Sequence, residues 1–286
     1  YRLNTAARQF RTQRTDTILV LVPDLGNPFF SNIIQGIESA ALTSGFRVVL
    51  GETNPDLSAT ATYAGYMQQR HADGAILLSV EGVQQFLTTA NDMPVVMACE
   101  HLPDSPFPTV RIDNAKAAEE AVTFLLDLGH KKIAYINGPA ENPVSKDRLR
   151  GYRKAMRTGK IKIKPEWIAA GDFSPHSGYE AGKALLTSAN PPTAIFASSD
   201  PMAIGVMRAA GELGLNIPGD VSLIGFDDIR FAEFMTPTLT TVHQPREDIG
   251  AAAMTKLAAV LAGEKAPRET ILLHELIERE STAAPI

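Results

Sequence analysis

The chain has 286 residues, enough for two domains of ordinary size, and its 44% hydrophobic and 21% charged residues exclude a disordered chain. No apolar run is long enough to cross a membrane, and a net charge of -5 argues against a body that wraps nucleic acid. The single cysteine, Cys99, excludes a disulfide framework and a cysteine-built zinc site, and it fits a reducing, cytoplasmic compartment.

Residues 1–15 carry Arg2, Arg8, Arg11 and Arg14 and no acid. A basic arm on an acidic body is either a contact for a polyanion or a solvated tail. Within it, Asn4 to Phe10 has the makings of a helix too short to stand alone in water. The chain opens on Tyr1 rather than methionine, which leaves export undecided.

Residues 17–22 read as the first strand, closed by Pro23. Asn27-Pro28 starts a helix whose apolar stripe is Phe30, Ile33, Ile34, Ile37, Ala40 and Ala41, and Gly45 ends it. A strand at 47–51, a helix over 58–70, a strand at 74–78, a helix near 83–90 and strands at 94–98 and 109–113 follow. Such alternation is that of a doubly wound half. The pattern then restarts after Asn114. It runs through a helix at 115–128, a strand at 132–136, a turn at Gly138-Pro139, a helix at 145–157 with a basic outer face, and a loop at 171–173. A helix opened by Ser174-Pro175 comes next.

Residues 193–228 form the clearest unit. A strand at 194–197 leads to a helix with Asp200 as its N-cap and Pro201 behind it. The apolar face is Ala203, Val206, Met207, Ala210 and Leu213, Gly214 is the residue just past the end, and a strand at 221–224 follows. This is a right-handed parallel βαβ unit. Ligands of open parallel sheets bind beyond the carboxyl ends of the strands, where Ser198, Ser199, Asp200, Asp227 and Asp228 fall. A last helix at 249–261 and an extended segment at 271–277 are expected to return to the first half and then the second. The fold class is therefore α/β, with two doubly wound, Rossmann-like lobes.

Five stretches, kept in order, resemble the LacI/GalR family of transcriptional regulators. They are Asn27-Pro-Phe-Phe-Ser31, Leu128-Gly-His-Lys-Lys-Ile133, the 193–228 unit, Leu239-Thr-Thr-Val-His-Gln-Pro245 and Ile277-Glu-Arg-Glu-Ser-Thr282. The resemblance implies a core like a type I periplasmic binding protein, joined by a hinge helix to a DNA-binding headpiece that this sequence lacks. Residues 1–15 would be the hinge remnant, 16–114 plus 245–274 the N-terminal lobe, and 115–244 plus 275–286 the C-terminal lobe. It implies a repressor that dimerises, grips double-stranded operator DNA, and binds a small effector between its lobes without cofactor, metal or catalytic residues. The stretches Val95–Glu100, Phe107–Asn114, Arg148–Tyr152 and Gly171–Phe173 resemble the family's nucleoside- and purine-responsive members. The effector implied is a nucleoside, with a free base or a sugar as alternatives.

The resemblance also marks a site. Phe29 and Phe30 either close over the ligand or pack the helix; spacing puts Phe30 on the core face and Phe29 off it. Phe173 either stacks on the ligand ring or plugs the core. Arg148 offers a planar donor fork and Asp227 a carboxylate suited to vicinal hydroxyls, unless the two pair with each other. Replacing Asp227 by alanine is expected to abolish effector binding and leave the fold intact. Asp113 either binds ligand or pins the crossover, and Ser199 lies at a strand's carboxyl end. Where purine-binding members carry an arginine and a threonine after Gly-Pro, this chain has Asn142 and Val144. Where they carry a tryptophan, it has Glu100, which suits an exocyclic amine or is a solvent-facing strand end. In the arm, Asn4, Ala7, Arg8, Phe10 and Arg11 fall on the hinge helix, with Phe10 placed as a minor-groove wedge.

Other classes fare poorly. His101, His130, His176 and His243 are scattered without metal spacing, and no nucleophile elbow, GxGxxG or Walker loop is present. His130 follows a helix-ending glycine and reads as a cap. A transport-type binding protein would share the fold, but it would not need the basic arm.

Overall fold

Six consecutive buried residues, Thr17–Val22, form β1, an inner strand paired in parallel on both sides. A strand covered on both faces needs no polar alternation, hence the nearly unbroken apolar run. Its sheet comprises β2 (Arg47–Glu52), β3 (Gly74–Leu77), β4 (Val95–Ala98), β5 (Thr109–Ile112) and β11 (Glu269–Leu272), in the order β11-β5-β4-β3-β1-β2. Helices α1 (Phe29–Thr43) and α7 (Arg246–Leu261) pack closely on each other. Helix α2 (Leu57–Gln68) brings Ala64 and Met67 into a core with Leu19, Leu21, Ala75 and Leu77. The computed structural model describes residues 14–53, 57–80, 86, 93–102 and 105–285. It divides into two compact units, Tyr1–Arg111 with Pro245–Leu272 and Ile112–Gln244 with Leu273–Ile286.

The second unit repeats the plan. Its strands are β6 (Ile133–Ile136), β7 (Ile168–Ala169), β8 (Ala194–Ala197), β9 (Ser222–Asp227), β10 (Thr240–His243) and β12 (Glu275–Ile277), ordered β12-β10-β9-β8-β6-β7. All the pairings are parallel except β10 with β12. In both sheets the first strand of the unit lies between the second and the third. That order reverses the direction of winding and leaves a crevice at the carboxyl ends, where ligands of such sheets bind. One face of the second sheet is covered by α5 (Pro175–Leu186) and α6 (Asp200–Glu212). Met202, Val206 and Leu185 meet Ile136, Ile195 and Leu223 there. Helices α3 (Asn114–Asp127) and α4 (Pro143–Thr158) form the other pair. Tyr152 of α4 stacks on Tyr135 at 5.1 Å and donates its hydroxyl to the Ile133 carbonyl.

Four sequence expectations change. The N-cap of α6 is Ser199, whose hydroxyl accepts from the Met202 amide, and Asp200 is the first helical residue with its carboxyl directed elsewhere. The extended segment 271–277 is two strands, β11 and β12, one in each sheet. β7 and β10 were not expected as strands. Phe29 is as buried as Phe30, because the two rings pack edge to face at 5.0 Å and shield each other. The expected helix at 83–90, except Phe86, and the whole hinge segment with Asn4, Ala7, Arg8, Phe10 and Arg11 lie outside the described residues.

His130 caps α3 as expected, its backbone N–H donating to the Leu125 carbonyl. The imidazole is buried and ties distant segments together. Nε2 lies 2.9 Å from the Ala283 carbonyl, and Nδ1 lies 2.9 Å from the Thr193 hydroxyl. A carbonyl can only accept, so Nε2 carries the proton and Nδ1 accepts from Thr193. Burial lowers the His130 pKa, against a raising contribution from the Ala283 bond. A depressed histidine pKa means the unfolded chain binds the extra proton first. Its contribution to stability is therefore complete above the ordinary value of about 6.5 and declines as pH falls below it. Urea unfolding at pH 7.5 and 5.5 should show lower stability at the acidic pH. His130→Gln should flatten that dependence, and an equal slope in both proteins would contradict the assignment.

Candidate functional site

Helix α4 begins at a loop after β6. The Asn142 side chain accepts from the Val144 amide at 2.8 Å and more weakly from Ser145, and Pro143 supplies the preset φ of a first helical position. Two turns in, Arg148 is 5% exposed. Its Nε donates to Asn114 Oδ1 at 2.9 Å and its Nη1 to the Ser198 carbonyl. The guanidinium lies flat on Phe226, with Cζ 3.6 Å from the ring centroid. Phe226 in turn continues an aromatic row through Phe196 to Tyr135, so the cation rests on the core of the sheet.

Nη2 of Arg148 faces Asp227 Oδ1 at 3.6 Å, and Gln244 Nε2 donates to the same oxygen at 2.8 Å. The first distance is an ion pair, too long for a hydrogen bond. Asp227, also 5% exposed, ends β9 in a left-handed conformation with φ 117°, and Asp228 follows with φ 51°. Non-glycine residues there cost about 1–3 kcal/mol each and persist only where their surroundings fix them. Asp228 is fixed by His243 Nδ1 on Oδ2 and Arg279 Nη2 on Oδ1, both at 2.8 Å. Burial works against the charge of Asp228, but these two partners outweigh it and hold the pKa below the ordinary carboxylate range.

Phe173 is a third strained residue, with φ 69°, in the loop between β7 and α5. It is partly buried and packs against the core of the second unit. Its ring lies over Gly138, where an added Cβ would come within 2.2 Å of the ring and force it to shift. Within 2.5 Å of that same point lies Ser145 Oγ, a buried hydroxyl with no hydrogen-bond partner among the described residues.

The remaining residues marked from sequence divide by unit. Asp113 caps α3 by accepting from the Lys116 amide, and Ser199 caps α6. Phe29 and Phe30, on the first turn of α1, and Glu100, whose Oε2 accepts from the Val80 amide at 2.7 Å, belong to the first unit. Within the second unit, Arg148 and Asp227 are brought together at the carboxyl ends of β8, β9 and β10. Asn114 and Gln244, which complete the network, were missed. The signal was there in part: Gln244 lies in the Leu239–Pro245 stretch, and Asn114 at the end of a strand.

Known proteins bear on this arrangement. A model described as a periplasmic binding protein-like domain matches residues 122–282. The HTH-type transcriptional repressor CytR of Escherichia coli strain K12 is 40% identical over 280 residues, 97% of this chain and 82% of that protein. The HTH-type transcriptional repressor PurR of Proteus mirabilis strain HI4320 is 34% identical over 288 residues, 99% of this chain and 84% of that one. Among solved structures, a transcriptional regulator CelR in complex with cellobiose shares 30% identity at a TM-score of 0.88, covering 96% of this chain and 89% of its own. Transcription regulator CcpA of Lactococcus lactis gives 27% identity and a TM-score of 0.88 over 94% of this chain and all of its own. The chain thus belongs to the LacI family of ligand-responsive transcriptional repressors and comprises its effector-binding core.

Proposed function

We propose that the effector is a nucleoside and that the Arg148–Asp227 pair holds its ribose hydroxyls while Phe173 stacks on the base. The observation that carries this is the pair itself. A buried guanidinium and carboxylate lie 3.6 Å apart at the carboxyl edge of a parallel sheet. Vicinal hydroxyls can donate to the carboxylate and accept from the fork at once. Support for the nucleoside comes from the likeness to CytR, and from Asn142, whose carboxamide is small and turned to its own helix. The mode of action is binding without catalysis: the effector shifts the repressor between two states that it binds with different affinity.

Operator DNA would be read through a helix-turn-helix region like that named in the relatives, with residues 1–15 as its hinge, in a cytoplasmic homodimer. Exposed apolar side chains in each unit, Leu42, Val49 and Leu50 in one and Phe231 and Phe234 in the other, suit self-association. The first test is a thermal-shift screen against nucleosides, free bases and simple sugars. A ligand at a hundredfold its dissociation constant adds about 2.7 kcal/mol of stability. A rise in Tm with cytidine or another nucleoside is expected. A response to sugars alone would discard the nucleoside.

A further inference from the structure

Asp200 is fully buried, and among the described residues no cation pairs with it. The two carboxylates nearest in this turn are matched: Asp227 faces Arg148, and Asp228 faces Arg279 and His243. Asp200 instead spends its oxygens on the backbone of that turn. Oδ2 accepts the Ile229 N–H at 2.8 Å, and Oδ1 is 2.6 Å from the Thr241 hydroxyl. The same Thr241 oxygen accepts the Asp228 N–H at 3.4 Å. The two amides that follow Asp227 are therefore held, one directly and one through Thr241. Space for this is reserved at Gly225, where a Cβ would fall 2.1 Å from Asp200 Oδ1.

We propose that Asp200 is the positioning residue of the effector site, locking the left-handed turn at Asp227 and Asp228 and so aiming the Asp227 carboxylate at Arg148. The proposal rests on the reading of Asp227 as an effector contact. Burial first, and the repulsion of Asp227 second, raise the pKa of Asp200 well above the ordinary value. Its two oxygens each accept, Oδ2 from the Ile229 N–H and Oδ1 from the Thr241 hydroxyl.

The test uses the 286-residue chain, cytidine calorimetry and amide hydrogen exchange over residues 226–230. Asp200→Ala is expected to speed exchange in that segment, with the rest of the unit protected, and to weaken cytidine binding by about tenfold or more. Asp200→Asn should recover both in part, because its carboxamide oxygen still accepts from Ile229 and its NH2 can meet the Thr241 oxygen. Unchanged exchange at 226–230 in Asp200→Ala overturns the proposal, and so does an Asp200→Asn protein that behaves like the alanine variant. If Asp200→Ala does not fold, Thr241→Val decides: faster exchange at Asp228 supports the lock, and unchanged exchange overturns it. Absence of cytidine binding by the wild type would defeat the nucleoside reading alone, since the exchange comparison needs no ligand.

Discussion

Replacing Arg148 by alanine is expected to lower the unfolding free energy by about 3–5 kcal/mol and to remove effector binding, the first read by urea unfolding and the second by calorimetry with cytidine. The size follows from burial. Asn114 Oδ1 and the Ser198 carbonyl lose their donor, and Asp227 loses its counter-charge, at once among buried groups. Unpaired buried carboxylates cost far more than the modest net worth of the pair itself. Arg148→Lys should recover little, since an ammonium can neither reach the three acceptors as a planar fork nor lie flat on Phe226. A paired substitution separates structure from function. With Arg148→Met and Asp227→Leu together, no charge is left stranded, and part of the lost stability should return while cytidine binding does not. Wild-type stability in Arg148→Ala, or cytidine affinity in the double variant, would remove the pair from its role.

Much of this fold was legible in the sequence because it depends on local signals. The buried run of β1 and the glycines that end helices are such signals: Gly45, Gly129 and Gly214 all have positive φ. What was not legible depends on partners far along the chain. β10 begins with two threonines and does not look like a core strand. It is buried because β9 and β12 flank it, and Thr240 and Thr241 bond Ser281 and Asp200. The segment 271–277 reads as one strand; the break at exposed Leu273, between strands of two different sheets, leaves no local mark.

The site shows the same limit more sharply. Asp113, Asn142 and Ser199 are the residue types that bind polar ligands and also the types that cap helices, and in the structure each caps one. Asp200 before Pro201 satisfies every sequence rule for an N-cap, yet Ser199 takes that role and frees the carboxyl for Ile229 and Thr241. The expectation that Asp227 can be removed without harm to the fold also changes. Its carboxylate is buried against Arg148 and Gln244, so its loss would be felt in stability as well as in binding.

Two glycines six residues apart in α6 should respond to alanine with opposite signs. At Gly205 a Cβ would stand 2.1 Å from the Pro175 carbonyl oxygen and 2.4 Å from the Tyr179 amide. Those are backbone atoms of α5, and no rotamer change can move them aside. Facing it on α5, Gly178 approaches the Met202 carbonyl just as closely, so the two helices touch backbone to backbone. At Gly211 nothing lies within 4 Å of the added atom. Alanine is worth about 1 kcal/mol over glycine in a helix interior, and Gly211, in the last turn of α6, takes a smaller share of that gain with nothing opposing it. At Gly205 the same gain is set against prying apart a pair that buries Leu185, Met202, Val206 and Ala210. Overpacking of this kind costs about 1–3 kcal/mol and more where backbone must move. The clash wins, for a net loss of about 2 kcal/mol or more in Gly205→Ala and a small gain in Gly211→Ala. Urea midpoints measured side by side give the comparison, and two variants of equal stability would mean that α5 and α6 are not in backbone contact.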